Sequence, residues 1–404
     1  MAVGRCDFPI MPEIPGIRLG TVCAGIKQTV RDDLLVFEMA EHGSCAAVFT
    51  QNAFCAAPVQ VARDHLTSKP RWLLINSGNA NAGTGRQGLQ DALTSCELLA
   101  QLTGGSAGQV LPFSTGVIGQ PLPIDKIGSA LPDAVRNLNP ASWDKAAKAI
   151  MTTDTFPKGV SQTLEIDGRT ITFNGIAKGA GMIQPNMATM LSFIGTDAKI
   201  SSALLQQCLK RAAELSFNRI TVDGDTSTND ALVVMASGLS AAPEILPDSE
   251  HYTRFADALL DVCKRLAEAI VRDGEGATKL MRIVVEEAQS EEEAVRVAKT
   301  IAHSPLVKTA FFASDPNWGR ILAAVGRAGV DNMVLENIRI FLDDVCIVRE
   351  GGRADDYTEE AGQQVMDREE IRVTVQLGRG DARQEVLTCD FSYDYVRINA
   401  EYRT

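Results

Sequence analysis

Residues 18–63 alternate short apolar runs with polar breaks, a pattern of strands rather than of long helices. "LLVFEMA", "CAAVFT" and "APVQVA" each read as a short strand. "RWLLINSG" reads as another strand, feeding a loop of small residues, "NSGNANAGTG", from Asn76 to Gly85. Leu89, Leu93, Cys96 and the Leu99–Ala100 pair recur at helical spacing and predict a helix over 87–102. Strand, small-residue loop and helix in that order make either an anion or substrate site or an ordinary tight turn.

"QVLPFSTGVIGQPLP" reads as a strand running into a turn at Ser114-Thr115-Gly116, and residues 140–150 as a helix. "QTLEIDGRTITFNGIAKG" is a hairpin pattern with Asp-Gly at its turn. "SALLQQCLKRAAELSFN" and "FADALLDVCKRLAEAIVRDG" are amphipathic helices. From Ala277 the pattern changes. "ATKLMRIVVEEA" predicts a strand, and "SEEEAVRVAKTIAHS" a helix that starts at Ser290, with Glu293 completing a capping box. Further helix and strand passes lead to "LTCDFSYDYVRINAEYRT", which reads as a C-terminal strand. A boundary at 275–285 divides the chain into an N-terminal unit, 1–280, and a smaller C-terminal α/β unit, 281–404.

Composition narrows the function. The 404 residues carry a formal net charge of -12, which argues against a nucleic-acid or anionic membrane partner and fits the handling of small molecules. No apolar run approaches the ~18 residues of a membrane span. The nine cysteines form no CxxC pair, and the four histidines are scattered, so no metal site is expected. Reduced thiols and a proline-broken, acid-bearing start without a signal core point to a cytoplasmic protein. Gly179-Ala180-Gly181 does not complete a dinucleotide fingerprint. "DGDTSTND", Asp223 to Asp230, has Thr228 where a calcium loop needs glycine and Val234 where it needs an acid, so it reads as a polar turn. No cofactor is expected.

"KGAGMIQPNMATML", Lys178 to Leu191, carries a lone hydroxyl, Thr189, behind the small residue Ala188. A threonine can act as a nucleophile without a histidine when its own α-amine, of pKa about 8, takes the hydroxyl proton. That amine is freed if Thr189 attacks the Ala188 carbonyl and water opens the resulting ester. Gly179 and Gly181 allow unusual backbone angles near that bond, and Pro185 fixes the approach. The bland alternative is a β-forming threonine ahead of an apolar strand.

This stretch resembles the cleavage signature of the ornithine acetyltransferase family, also called glutamate N-acetyltransferase, of cyclic arginine biosynthesis. "SGNANAGTG", "STGVIG", "TTDTFPK", "NRITVDGDTSTND", "SPLVKTAFFASDPNWGRILAAVG" and "INAEYRT" resemble further blocks of that family, in its order, over nearly the whole chain. The resemblance implies an α/β fold with sheets layered between helices. It implies cleavage between Ala188 and Thr189 into chains 1–188 and 189–404, paired in dimers or higher assemblies. It assigns Thr189 as nucleophile, Thr115 and Gly116 as the oxyanion hole, and Thr152, Lys178, Glu275, Asn399 and Thr404 as substrate contacts. The implied reaction moves acetyl from N2-acetylornithine to glutamate, giving ornithine and N-acetylglutamate. Some members also use acetyl-CoA as donor, and the sequence leaves that open here. A self-cleaving aminopeptidase or hydrolase and a non-catalytic binding protein are the other readings.

Overall fold

The structure, a computed structural model, describes residues 2–4, 7–184 and 190–401. Strands up to residue 240 are β1 (Ile17–Val22), β2 (Leu34–Met39), β3 (Ser44–Phe49), β4 (Trp72–Asn79), β5 (Val110–Val117), β6 (Lys158–Ile166), β7 (Arg169–Lys178), β8 (Leu191–Thr196) and β9 (Ala231–Ala236). They form two sheets, ordered β1-β2-β4-β5 and β3-β9-β8-β7-β6. The pairs β4/β5 and β8/β9 are parallel and the other neighbours antiparallel.

The two sheets pack face to face. Leu35, Phe37, Leu73 and Phe113 of the first share one core with Ile176, Phe193, Val233 and Met235 of the second. Phe113 meets Phe193 edge-on across that core, ring centroids 5.3 Å apart. Helices cover the outer faces. Leu34, Val36 and Leu74 pack on α2 (Gly85–Thr103) and α3 (Ile124–Arg136). The outer face of the second sheet packs on α5 (Ser202–Glu214) and α6 (Glu250–Arg272). Both faces of β2 are therefore buried, which explains an unbroken apolar run instead of an alternating one. The layering is helix, sheet, sheet, helix, as the resemblance implies.

Two further helices, α1 (Ala57–His65) and α4 (Trp143–Ala149), fill the inter-sheet core with Ala62, Trp143 and Ala146. The run "APVQVA" is thus helix, not strand. Pro58 lies in the first helical turn, where its missing N–H costs nothing, and Ala57, Val59, Val61 and Ala62 are buried. The hairpin stands as read: Asp167 and Gly168 both have positive φ, 50° and 70°, as its tight turn requires.

Residues 280–389 build a third sheet from β10 (Leu280–Ala288), β11 (Arg339–Leu342), β12 (Val345–Arg349), β13 (Gly352–Arg353), β14 (Glu370–Gln376) and β15 (Ala382–Cys389), ordered β13-β12-β11-β14-β10-β15. It has its own core with α7 (Glu291–Ala302), α8 (Pro305–Phe312), α9 (Trp318–Gly326) and α10 (Glu359–Met366). Ser290 caps α7 through the Glu293 amide, while the Glu293 carboxylate reaches the Gln289 amide, one residue before the cap. Arg272 and Arg282 each pair with Glu268 and Glu370, tying α6 to this sheet. The expected C-terminal strand ends at Cys389. Asp390, fully buried, accepts from the amides of Thr278 and Lys279 and stops the ladder. Ser392 then caps a helix, α11 (Tyr393–Ala400).

Among the described residues no helix is long and apolar enough to cross a membrane.

Candidate active site

A cavity of about 260 Å³ opens at one end of the two-sheet sandwich, where β5 and β7 run out. Thr115, Gly116, Thr152, Lys178, Glu275 and Asn399 all line it. Six residues singled out from five separate segments therefore meet in one place. Thr189, Ala188 and Thr404 lie outside the described residues.

Thr115 and Gly116 are part of β5 and not of a turn, because β5 continues in parallel with β4 as far as Asn79 and Val117. Gly116 has φ +135°, and a Cβ there would stand 2.3 Å from the backbone carbon of Gly78. Only glycine lets the two strands close so tightly at the cavity wall. Lys178 ends β7 and is buried. Its ammonium donates to the Thr115 hydroxyl at 3.2 Å. Burial pushes the Lys178 amine below its ordinary value, opposed by Asp154, Asp230 and Glu275, while Lys158 adds to the lowering.

Glu275 sits in the loop after α6, with its amide bonded to the Ala180 carbonyl at 2.8 Å. Its carboxylate packs on Gly181, where any Cβ would fall 2.3 Å from Oε2. The Asn399 amide donates to the same Oε2 at 2.8 Å. Asn399 is brought there by α11, whose cap Ser392 donates to the Gly276 carbonyl at 2.6 Å, next door to Glu275. Helix α11 thus does for the site what a terminal strand was expected to do. Thr152 lies in the loop after α4, with its amide donating to Asp154.

Sequence reasoning missed part of the wall. Ser227, Thr228 and Asn229, read only as a polar turn, also line the cavity. Asn229 donates to the carbonyls of Ala80 and Ser114, at 2.6 and 2.9 Å, and so pins the two sheets together at the site. The available signal was the density of side-chain donors just before an apolar strand. Asp230, buried beside them, has an Oδ2 with no hydrogen-bond partner among the described residues. Burial pushes its carboxyl well above the usual range, against the Ser227 hydroxyl and the Lys178 charge. The small-residue loop after β4 contributes Ala80 alone.

A buried lysine and a buried glutamate thus face one cavity of about 260 Å³. The sequence profile of the ArgJ family matches residues 18–404. The chain belongs to that family. Its relatives include the arginine biosynthesis bifunctional protein ArgJ of Methylococcus capsulatus, 64% identical over 98% of this chain and 97% of that one. The protein of the same name from Pseudomonas fluorescens is 53% identical over the full length of both. A crystal structure of the argJ protein from Bacillus halodurans superposes with a TM-score of 0.50 at 43% identity, covering 52% of this chain and 99% of that one. This ArgJ-family chain is accordingly an acetyltransferase of arginine biosynthesis.

Proposed function

We propose that the chain cuts itself between Ala188 and Thr189 and then moves acetyl from N2-acetylornithine to glutamate through an ester on Thr189. The observation that carries this reading is the shared cavity: Lys178 and Glu275, of opposite charge and both buried, face it beside Thr115 and Gly116. Lys178 suits the α-carboxylate that both amino acids carry. Glu275 suits the side-chain ammonium of ornithine, and Asn399, Thr152 and Thr404 complete the contacts. The length of the Bacillus chain also supports a cut near the middle, since a chain from 189 to 404 would hold 216 of the 404 residues, close to the 52% covered.

In the first step the α-amine of Thr189 takes the hydroxyl proton, and the oxygen attacks the acetyl carbonyl. The Thr115 hydroxyl and the Gly116 amide stabilise the alkoxide that forms. The C–N bond breaks, the proton passes to the departing nitrogen, and ornithine leaves. Glutamate then enters, its amine attacks the ester, and N-acetylglutamate departs as Thr189 regains its proton. One site serving both amino acids makes the kinetics ping-pong. Water must be kept out while the ester waits. No step needs a metal or a cofactor.

The units 1–280 and 281–404, the paired chains 1–188 and 189–404, and a dimer or higher assembly of such pairs belong to the same proposal. The test uses N2-acetylornithine labelled in its acetyl group. Label is expected in N-acetylglutamate only when glutamate is present. Free acetate released without glutamate would favour the hydrolase reading instead. Acetyl-CoA offered alone as donor, in the same assay, decides whether it is a second substrate.

A further inference from the structure

Three of the substrate-facing side chains come from distant segments, Thr152 from the loop after α4, Lys178 from the end of β7 and Glu275 from the loop after α6. One buried ion cluster joins all three. The Asp154 carboxylate accepts from the Thr152 amide at 2.9 Å, from the Gly179 amide at 2.7 Å and from the Lys158 ammonium at 2.6 Å. Lys158 also donates to Asp273 at 2.6 Å. Asp273 follows α6, two residues before Glu275, and accepts both the amide and the hydroxyl of Thr155. The side chains of Lys158, Asp154 and Asp273 are wholly removed from solvent.

Such a cluster is poor value as a stabiliser. Desolvating three charges costs several kcal/mol per ion, and apolar replacements of a buried ion network are often as stable or more so. Its placement supplies the other reason for it. Among the described residues, the hydrogen bonds to the Asp154 carboxylate come from Thr152, which lines the cavity, from Gly179, the chain neighbour of Lys178, and from the lysine that leads to Glu275's segment.

Resting on the reading of the site given above, we propose that Asp154 is a positioning residue for acetyl transfer: its carboxylate, clamped through Lys158 to Asp273, holds residues 152, 178–179 and 275 in one substrate-binding geometry. The charge at Asp154 also supports that of Lys178. Among the described residues the charged groups that act most strongly on Lys178 are Asp154, Lys158, Asp230 and Glu275, and Lys27 also interacts with it. Asp273 is not one of its strongest influences.

The experiment is steady-state kinetics on wild type, Asp154→Asn and Asp273→Asn, from pH 6 to 10, with a thermal melt of each. A misplacement of about 1 Å costs about 10²-fold in rate, so Asp154→Asn is expected to lower kcat/KM by roughly 10- to 100-fold, chiefly through KM. Its alkaline limb is expected to move to lower pH, because Lys178 loses a supporting anion. Asp273→Asn is expected to raise KM with the alkaline limb unmoved. A folded Asp154→Asn enzyme with unchanged KM and pH profile, and only a lower Tm, overturns the proposal. If that variant does not fold, an unchanged KM in Asp273→Asn overturns it, and a raised one supports it. A wild type that moves no acetyl to glutamate removes the reading of the site, and this proposal with it.

Discussion

Lys178 of the second sheet donates its hydrogen bond to the Thr115 hydroxyl of the first, 3.2 Å away. A protonated lysine can only donate, so the Thr115 oxygen accepts and its own proton is free for another acceptor. That is the state an oxyanion donor must be in. Thr115→Val keeps the shape and removes the donor. It is expected to lower kcat by ~10²–10³-fold with little change in KM. Lys178→Met should act on KM for both amino acids as well, and steady-state kinetics separate the two patterns.

Glu275 tests which end of the substrate lies where. Its carboxylate would attract the ammonium of the ornithine side chain and repel the side-chain carboxylate of glutamate. Glu275→Gln is therefore expected to raise KM for N2-acetylornithine by about tenfold, in line with loss of a charged hydrogen bond, and to leave that for glutamate unchanged or lower. Equal rises in both would contradict the orientation.

Gly116 tests the close approach of β4 and β5. An alanine there meets the Gly78 backbone at 2.3 Å and is held at a φ of +135°. Gly116→Ala is expected to cost at least about 1–3 kcal/mol, read as a lowered Tm, and to lose activity through displacement of the neighbouring Thr115.

His303 gives the protein an acid-sensitive step. Burial, with Lys299, Lys308 and Arg327 beside it, pushes the imidazole down to about 4. The unfolded value is about 6.5. The folded state binds the proton more weakly, so this contribution to stability is full above about pH 6.5 and is lost as pH falls toward about 4. Up to about 3 kcal/mol is at stake in that window. Chemical denaturation of wild type between pH 4 and 7 should show the loss, and His303→Gln should flatten it.

Many of the strands and helices were legible because strands buried on both faces and helices buried on one leave different periods, as "LLVFEMA" and α6 do, whereas their layering was known only through the family resemblance. The errors fell where period was too short to decide. "APVQVA" offers six residues, too few to tell a strand from a helix by period, and its proline is in fact the first-turn proline of α1. Pro132 lies inside α3 and hid a 13-residue helix to which the sequence assigned no element. The aromatic and β-branched residues of "FSYDYVRIN" suggest a strand, but the Ser392 cap and the buried Asp390 make it α11. At the site, the motif residues were found through resemblance. The wall residue Asn229 and the cluster of Asp154, Lys158 and Asp273 were not, because their roles rest on contacts between residues up to 149 positions apart.

Thr189 carries the account, and the direct measurement is intact mass under denaturing conditions after incubation with N2-acetylornithine alone. The account predicts two chains in place of one, the larger beginning "TMLSFIG" and carrying one added acetyl group that glutamate removes. Thr189→Ala should stay whole and take up no acetyl. A wild-type chain that remains uncut, or a cut chain whose acetyl sits on another residue, would contradict it.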